Sequence, residues 1–324
     1  MADGSNLKNI LARKQRGLGS VDDIMATLND YSFGPFYFQV AVMFRNSMLV
    51  NSILTNSEAW YNLTDSDYNH LECADESLLR KILETGACTP KVMLYLELGI
   101  YPIRFVIMNR RVVFLHYILS RKGSLLHTFL EAQSMNPCKG DWSTKIIEDL
   151  NKLEISESFE EISKKSPEQF KNLVAKKIKV LAFEYLLMKK DKLDKVRHIK
   201  FEKLSMQEYL TPQQIFRMDS LSQAKFLFSL RSRMVQVRGN FKNNFENSTC
   251  ELCGSHEDSQ INLLTCKELA EPGALTNQPV DYEKLFSENP TEQIQIGAIL
   301  KEKLTKRNKL LELKAKNENK NANK

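Results

Sequence analysis

Apolar residues recur three and four positions apart along most of the chain, the spacing of one helical face. Ser20 and Asp23 form a capping box ahead of Ile24, Met25 and Leu28, which predicts a helix start there. Gly34 and Pro35 open a run rich in Phe, Val, Met and Leu that reaches Leu54 and reads as a buried helix. Thr64 is placed to cap a helix carrying Tyr68, Leu71, Leu78, Leu79 and Ile82. Thr89 and Pro90 open a short helix that Gly99 closes. Pro102 opens another through Phe105, Ile107, Val112, Phe114, Leu115 and Ile118. Further starts are Ser124, Trp142 at the head of an acidic helix to Leu150, Ser158 with Glu161, and Ser166 with Pro167 and Gln169. The last leads into a long helix through Phe170, Leu173, Val174, Ile178, Leu181, Tyr185 and Leu186. Val112–Tyr117, Val196–Phe201 and Met234–Phe241 have strand-like composition, and each is short. With no alternation of strands and helices and no fixed-period repeat, the expected fold class is mainly α.

Composition and charge divide this helical array. The 324 residues are 42% hydrophobic and 27% charged, enough apolar content for a sizeable core. The net charge of +6 sits at one end: residues 301–324 hold nine Lys/Arg and three Glu. Asp141–Glu161 is acidic, with seven acids and two lysines, and Lys164–Lys203 is basic, with thirteen Lys/Arg and five acids. Glu268–Asn289 is rich in Pro, Gly, Asn and Gln and reads as a linker. A last helix is expected from about Thr291, fraying beyond Leu313 where apolar residues run out. The expected organisation is therefore a helical region over 1–130, a second over 131–230, a Cys-rich module over 231–268, a linker over 269–289 and a basic helical tail over 290–324.

The longest charge-free apolar stretch, Tyr31–Phe44, is shorter than the ~18–20 residues of a membrane span. Arg104, Arg110, Arg111 and His116 interrupt the next candidate, Pro102–Leu119. Residues 1–20 lack the apolar core of a signal peptide. The expectation is a protein of cytoplasm or nucleus with no membrane partner, whose six cysteines are thiols or metal ligands.

Candidate chemistry concentrates near the C-terminal third. Cys250-Glu-Leu-Cys253-Gly, with Cys266 downstream, has the spacing of a small metal-held loop. His256 is the nearby imidazole, and Asn262 stands four residues before Cys266 where a knuckle would place a histidine. The candidate ligands for Zn are Cys250, Cys253, His256 and Cys266; a degenerate site with free thiols is the competing reading. Just upstream, Arg231, Arg233, Arg238 and Lys242 run without an acid and with Phe241 among them. Guanidinium groups can pair with phosphates and a phenyl ring can stack on a base, whereas a half-buried strand with a basic outer face has the same composition. Ser20-Val-Asp22-Asp23 has the paired acids of a polymerase metal site but lacks its aromatic, and the acids read as helix-start residues. No phosphate-binding glycine loop, nucleophile elbow or His-Glu-x-x-His is present, so no catalytic residue is assigned.

The order of several segments resembles the C-terminal part of reverse transcriptases of non-LTR (LINE-like) retrotransposons. These segments are Ala2-Asp-Gly4, Asn46–Trp60, Leu94-Tyr-Leu-Glu-Leu-Gly99-Ile-Tyr-Pro102-Ile-Arg104-Phe, Arg110-Arg111, Asn136-Pro-Cys-Lys-Gly-Asp-Trp142 and the block Arg231–Cys266, together covering about residues 2–268. The resemblance implies a thumb-like helical array followed by a knuckle, in a family that carries out RNA-templated DNA synthesis and target-primed integration. Fingers and palm have no counterpart here, as in a truncated element copy, and Asn262 departs from the family's knuckle.

The resulting expectation is a non-catalytic nucleic-acid-binding fragment that contacts RNA or an RNA–DNA hybrid. Arg104, Arg110, Arg111, Arg231, Arg233, Arg238, Phe241 and Lys242 would form the contacts. The alternatives are a helical scaffold with a protein partner at the face left by the missing palm, and a polymerase subunit that needs a separate palm chain.

Overall fold

The computed structural model describes residues 7–138, 140–196, 199, 221–244, 247–270, 281–287 and 289–322, with side chains described at neither 242–244 nor 320–322. Ala2–Gly4, His198 and Phe245 lie outside the described residues, as do the side chain of Lys242 and most of Val196–Phe201. The chain is mainly α, as its periodicity requires. Among the described residues the only β pairing is one antiparallel bridge between Thr249 and Glu257.

The described residues divide into two units. One takes residues 7–82 and 91–192, and the other takes 83–90 and the described residues from 193 onward. The expected division at 130/131 falls inside the first unit, and that at 230/231 inside the second.

The first unit begins with α1 (Leu7–Asp30), which buries Ile10, Gly17, Val21, Ile24 and Leu28. It packs chiefly against α4 (Asp65–Ile82). The helix start expected at Ser20 is not there. Ser20 lies in mid-helix, where its hydroxyl donates to the Arg16 carbonyl at 3.2 Å. Asp22 and Asp23 are exposed, and Asp22 pairs with Lys81 at 2.7 Å. The apolar stripe continues upstream of the apparent cap through Gly17 to Ile10, and that continuation overrides a local cap signal.

Gly17 is what lets α1 approach so closely. A Cβ there would lie 2.6 Å from Ile53 Cγ2 and 2.9 Å from Ala74 Cβ. Gly17→Ala is therefore expected to destabilise by about 1–3 kcal/mol, although alanine is the better helix former. Urea unfolding checks this; an unchanged or raised midpoint would show that the helices can separate at no cost.

The run from Pro35 to Leu54 is helical but not one regular helix. It comprises α2 (Tyr37–Phe44), a π turn at Arg45–Leu49 and α3 (Val50–Ile53). Arg45, first in the π turn, is buried and holds Asp75 at 2.6 and 2.7 Å, with Tyr101 O accepting at 3.0 Å. The expected caps hold where they are local. At Thr64 the hydroxyl accepts from Asp67 N, while Asp67 accepts from Thr64 N at 2.9 Å. Gly99, at φ 61°, terminates α5 (Lys91–Leu98).

Pro102 precedes α6 (Ile103–Leu119), around which the second core of the unit forms. Val112–Tyr117 is part of this helix rather than a strand, because α6 is covered on several sides and its apolar residues form a run instead of a stripe. The core joins Phe105, Val112 and Leu115 of α6 to α8 (Trp142–Lys152), α9 (Phe159–Lys164) and α10 (Pro167–Asp191) through Ile146, Ile162, Phe170 and Val174. Both α9 and α10 begin with reciprocal capping boxes, Ser158/Glu161 and Ser166/Gln169. Between α6 and α8, α7 (Leu125–Met135) buries only Leu130. Among the described residues no single helix is long and apolar enough to cross a membrane.

The second unit is organised by α11 (Leu221–Arg231) and α12 (Pro290–Ala322). Gly297 of α12 faces Leu227 of α11 so closely that a Cβ would meet its Cδ2 at 2.3 Å. The expected linker contributes to this core: Leu269 and Leu285 are buried, and Tyr282–Phe286 forms a 3-10 turn packed against it. Residues 271–280 of that linker lie outside the described residues. α12 continues as helix past Leu313, where fraying was expected.

Candidate metal centre and basic helix

Chain reversals build the cysteine loop. α11 ends with Arg233 in the left-handed region, φ 54°, and Met234 N donates back to Ser229 O at 2.8 Å. Met234–Phe241 is thus a turn leading into 3-10 structure, not a strand. Gly239 N then donates to Asp258 O at 2.7 Å, an approach that a side chain would block, since a Cβ at 239 would lie 2.8 Å from that oxygen.

The Thr249–Glu257 bridge closes the loop that carries the first two cysteines. Inside it, Cys250 N donates to His256 O at 2.6 Å and Gly254 N to Cys250 O at 2.8 Å, with Gly254 at φ 66°. A second turn brings in the third cysteine. Asn262 Nδ2 donates to Glu257 O at 2.6 Å, and Cys266 N donates to Asn262 O at 2.9 Å. Asn262 therefore braces the two turns through its amide.

These turns place the sulfurs of Cys250, Cys253 and Cys266 within 4.8 Å of one another, with Cys250 and Cys266 4.0 Å apart. Tetrahedral Zn–S bonds of about 2.3 Å place two sulfurs about 3.8 Å apart, so the three sulfurs lie close enough together to share one ion. Cys250 and Cys266 are buried, and the pocket beside the three sulfurs has a volume of about 10 Å³, room for an ion rather than an organic ligand. The Ser255 N–H, donating to the Cys253 sulfur, leads the effects that hold that thiol below its ordinary pKa. Burial pushes Cys266 up to about 11. A bound cation would favour all three thiolates.

His256, the fourth candidate ligand, is not in this cluster. Its ring is exposed, and its backbone supplies the carbonyl for Cys250 and an N–H for the Cys253 sulfur. The residue is tied to the Cys250 backbone and to the Cys253 sulfur, and it lines the pocket.

The basic helix α12 clamps this loop. Arg307, buried on α12, pairs with buried Asp258 through two contacts, one of 3.1 Å, and Arg238 N donates to the same carboxylate at 2.9 Å. Lys303, Lys306 and Lys314 donate to the carbonyls of Leu269, Ala270 and Glu251 at 3.4, 3.3 and 3.0 Å. Lys301, Lys306 and Lys309 line a groove beside α11. The loop and the charge excess, read from sequence as separate features, belong to one body. Neither Asp258 nor Arg307 was legible as a partner, because 49 residues separate them.

The arginines expected to meet phosphates mostly have partners within the chain. Arg111 is 1% exposed and pairs with Asp149 at 2.6 Å. Arg231 is buried and donates to Gln293 at 3.1 Å. Arg104 pairs with Glu72 at 2.9 Å and Asp65 at 3.2 Å, between the rings of Tyr68 and Tyr185. Arg110 donates to Leu54 O and Asn51 Oδ1, both at 2.7 Å. Arg238 pairs with Glu251, and Phe241 carries the Lys195 ammonium 4.7 Å above its ring. Arg233 is half-buried, its left-handed backbone serving the helix end. Arg104, Arg110 and Arg111 belong to the first unit, and Arg231–Lys242 to the second.

No protein-family model matches the chain, and neither does any curated protein or solved structure.

Proposed function

We propose that this chain is a non-catalytic nucleic-acid-binding segment related to the thumb and knuckle of non-LTR retrotransposon reverse transcriptases, working in the cytoplasm or nucleus. The observation that carries the reading is the union, in one unit, of a three-cysteine cluster close enough to hold a metal ion with a lysine-rich helix. A zinc ion held by Cys250, Cys253 and Cys266 would rigidify the loop and, through Asp258 and Arg307, seat α12 beside it. The exposed lysines of α12 then present a row of cations to a phosphate backbone, with RNA or an RNA–DNA hybrid as the partner. The contact surface is thus moved from the internal arginines to Lys301 and Lys309, with half-buried Lys306 beside them giving one N–H to Ala270 O and keeping two. The order of motif-like segments along residues 2–268 supports the family assignment.

Replacing Lys301, Lys306 and Lys309 together by alanine is expected to weaken RNA binding and reduce the log–log salt slope by about 2, at roughly 0.7 per phosphate contact on a single strand. Fluorescence anisotropy at several salt concentrations measures both. Wild-type protein that fails to bind RNA, DNA or hybrid at low salt overturns the reading, and an unchanged slope in the variant overturns the assignment to α12.

A scaffold role has one observation in its favour. α7 exposes Leu125 (71%), Phe129 (58%) and Met135 (78%), more apolar surface than one packed helix leaves bare. That reading predicts nucleic-acid binding no stronger than that of any protein of similar charge.

A further inference from the structure

The first unit contains a cavity of about 780 Å³ lined by residues of α6 and α10, none of them in the cysteine loop or α12. Its size falls within the range of small-molecule and cofactor sites. We propose that it binds one unpaired nucleotide of a single strand, with the base against Phe114 and Tyr117 and the phosphate between Arg110 and Lys171. The inference rests on the nucleic-acid reading above but concerns a different unit and a different contact.

Three features select this occupant. First, Phe114 and Tyr117 lie nearly parallel, 15° apart with centroids 5.7 Å from one another, and Tyr117 is 41% exposed. Stacked on one another, they form an aromatic column whose outer face suits a base, as an aliphatic side chain does not. The Arg121 guanidinium lies 4.2 Å over Tyr117 in this structure, so a base stacking on that ring takes its place. Second, cations lie beside the platform. Arg110 commits two N–H groups to Leu54 O and Asn51 Oδ1, out of the five a guanidinium has, and Lys171 is exposed. Third, the acid lining the cavity is Glu58. A carboxylate accepts from an exocyclic amino group, which favours adenine or cytosine over uracil. An apolar peptide would bring no anion to Arg110 and Lys171, whereas a nucleotide brings its phosphate.

The experiment is a titration of the full chain with AMP, CMP and UMP, followed by saturation-transfer NMR and by the fluorescence of Trp142, whose ring meets Phe114 edge-on at 6.1 Å. Saturable binding is expected, with AMP and CMP ahead of UMP. Tyr117→Ala is expected to weaken it about tenfold, the lower range of a lost base–aromatic stack, with an unchanged melting temperature because the ring is exposed. Lys171→Ala is expected to weaken the nucleotide but not the nucleoside. Absence of saturable binding overturns the proposal, and so does equal binding by Tyr117→Ala. The lysine variants of α12 separate the two readings: nucleotide binding that survives while RNA fails to bind leaves this site standing and removes the knuckle reading. RNA binding without nucleotide binding does the reverse.

Discussion

Cobalt(II) added to the metal-free protein is expected to give thiolate charge-transfer absorption that saturates at one equivalent, and zinc is expected to displace it. Cys250→Ser, Cys253→Ser and Cys266→Ser should each abolish it, because removing one of three soft ligands leaves a site poorer than free solution competitors. The consequence for folding should be large. Structural zinc contributes about 10–16 kcal/mol of apparent binding energy in zinc-finger peptides, and here that energy would hold residues 247–270. These residues contain one β bridge and no helix longer than a turn, so the loop has little else to order it. Chelation is expected to remove amide protection across the loop and to loosen α12, whose Arg307 depends on Asp258 staying in place.

The fourth ligand is expected to be His256. Its backbone is already fixed to Cys250 and Cys253, and it lines the pocket beside the three sulfurs with an exposed ring. His256→Ala should change the cobalt ligand-field bands and weaken metal by about tenfold or more, whereas Asn262→Ala should destabilise the loop and leave those bands alone. Apparent affinity should rise with pH, because the Cys266 thiol, pushed up to about 11 by burial, must lose its proton to bind. A protein that takes up no cobalt at neutral pH returns the site to free thiols.

The other large effect is expected at Asp149. Its carboxylate is fully buried, pairs with Arg111 at 2.6 Å and receives Lys145 at 3.3 Å, while Arg111 also donates to the Trp60 carbonyl. Asp149→Ala strands a guanidinium that is 1% exposed, and the expected loss is about 3–5 kcal/mol. The double replacement Arg111→Met with Asp149→Leu removes both charges at similar volume and should recover most of that loss. Urea midpoints at constant denaturant slope measure both changes. A single variant as stable as wild type would show that solvent reaches Arg111 after all.

The elements legible in the sequence are those whose signals are local. Ser158 with Glu161 and Ser166 with Gln169 form reciprocal caps because both partners sit within one turn, and no distant residue is needed to complete them. Gly99 ends its helix because the left-handed backbone there suits glycine. The cysteine loop was visible for the same reason: two thiols three residues apart share a turn, and a third sixteen residues on can return to them. Ser20 shows the limit of such signals. The same residues that begin a helix can sit inside one, and the decision came from Gly17 fitting between Ile53 and Ala74.

What the chain determined by itself was its helical class, most helix boundaries and the spacing of three cysteines that can converge on one point. The tertiary structure alone decided what its charges do. A guanidinium has the same composition and the same neighbours in sequence whether it faces solvent or a buried acid. Arg111 finds Asp149 38 residues away and Arg307 finds Asp258 49 residues away, and only the folded path of the chain brings those pairs together. Burial then makes each pair obligatory, because a charge removed from water must be matched where it lies.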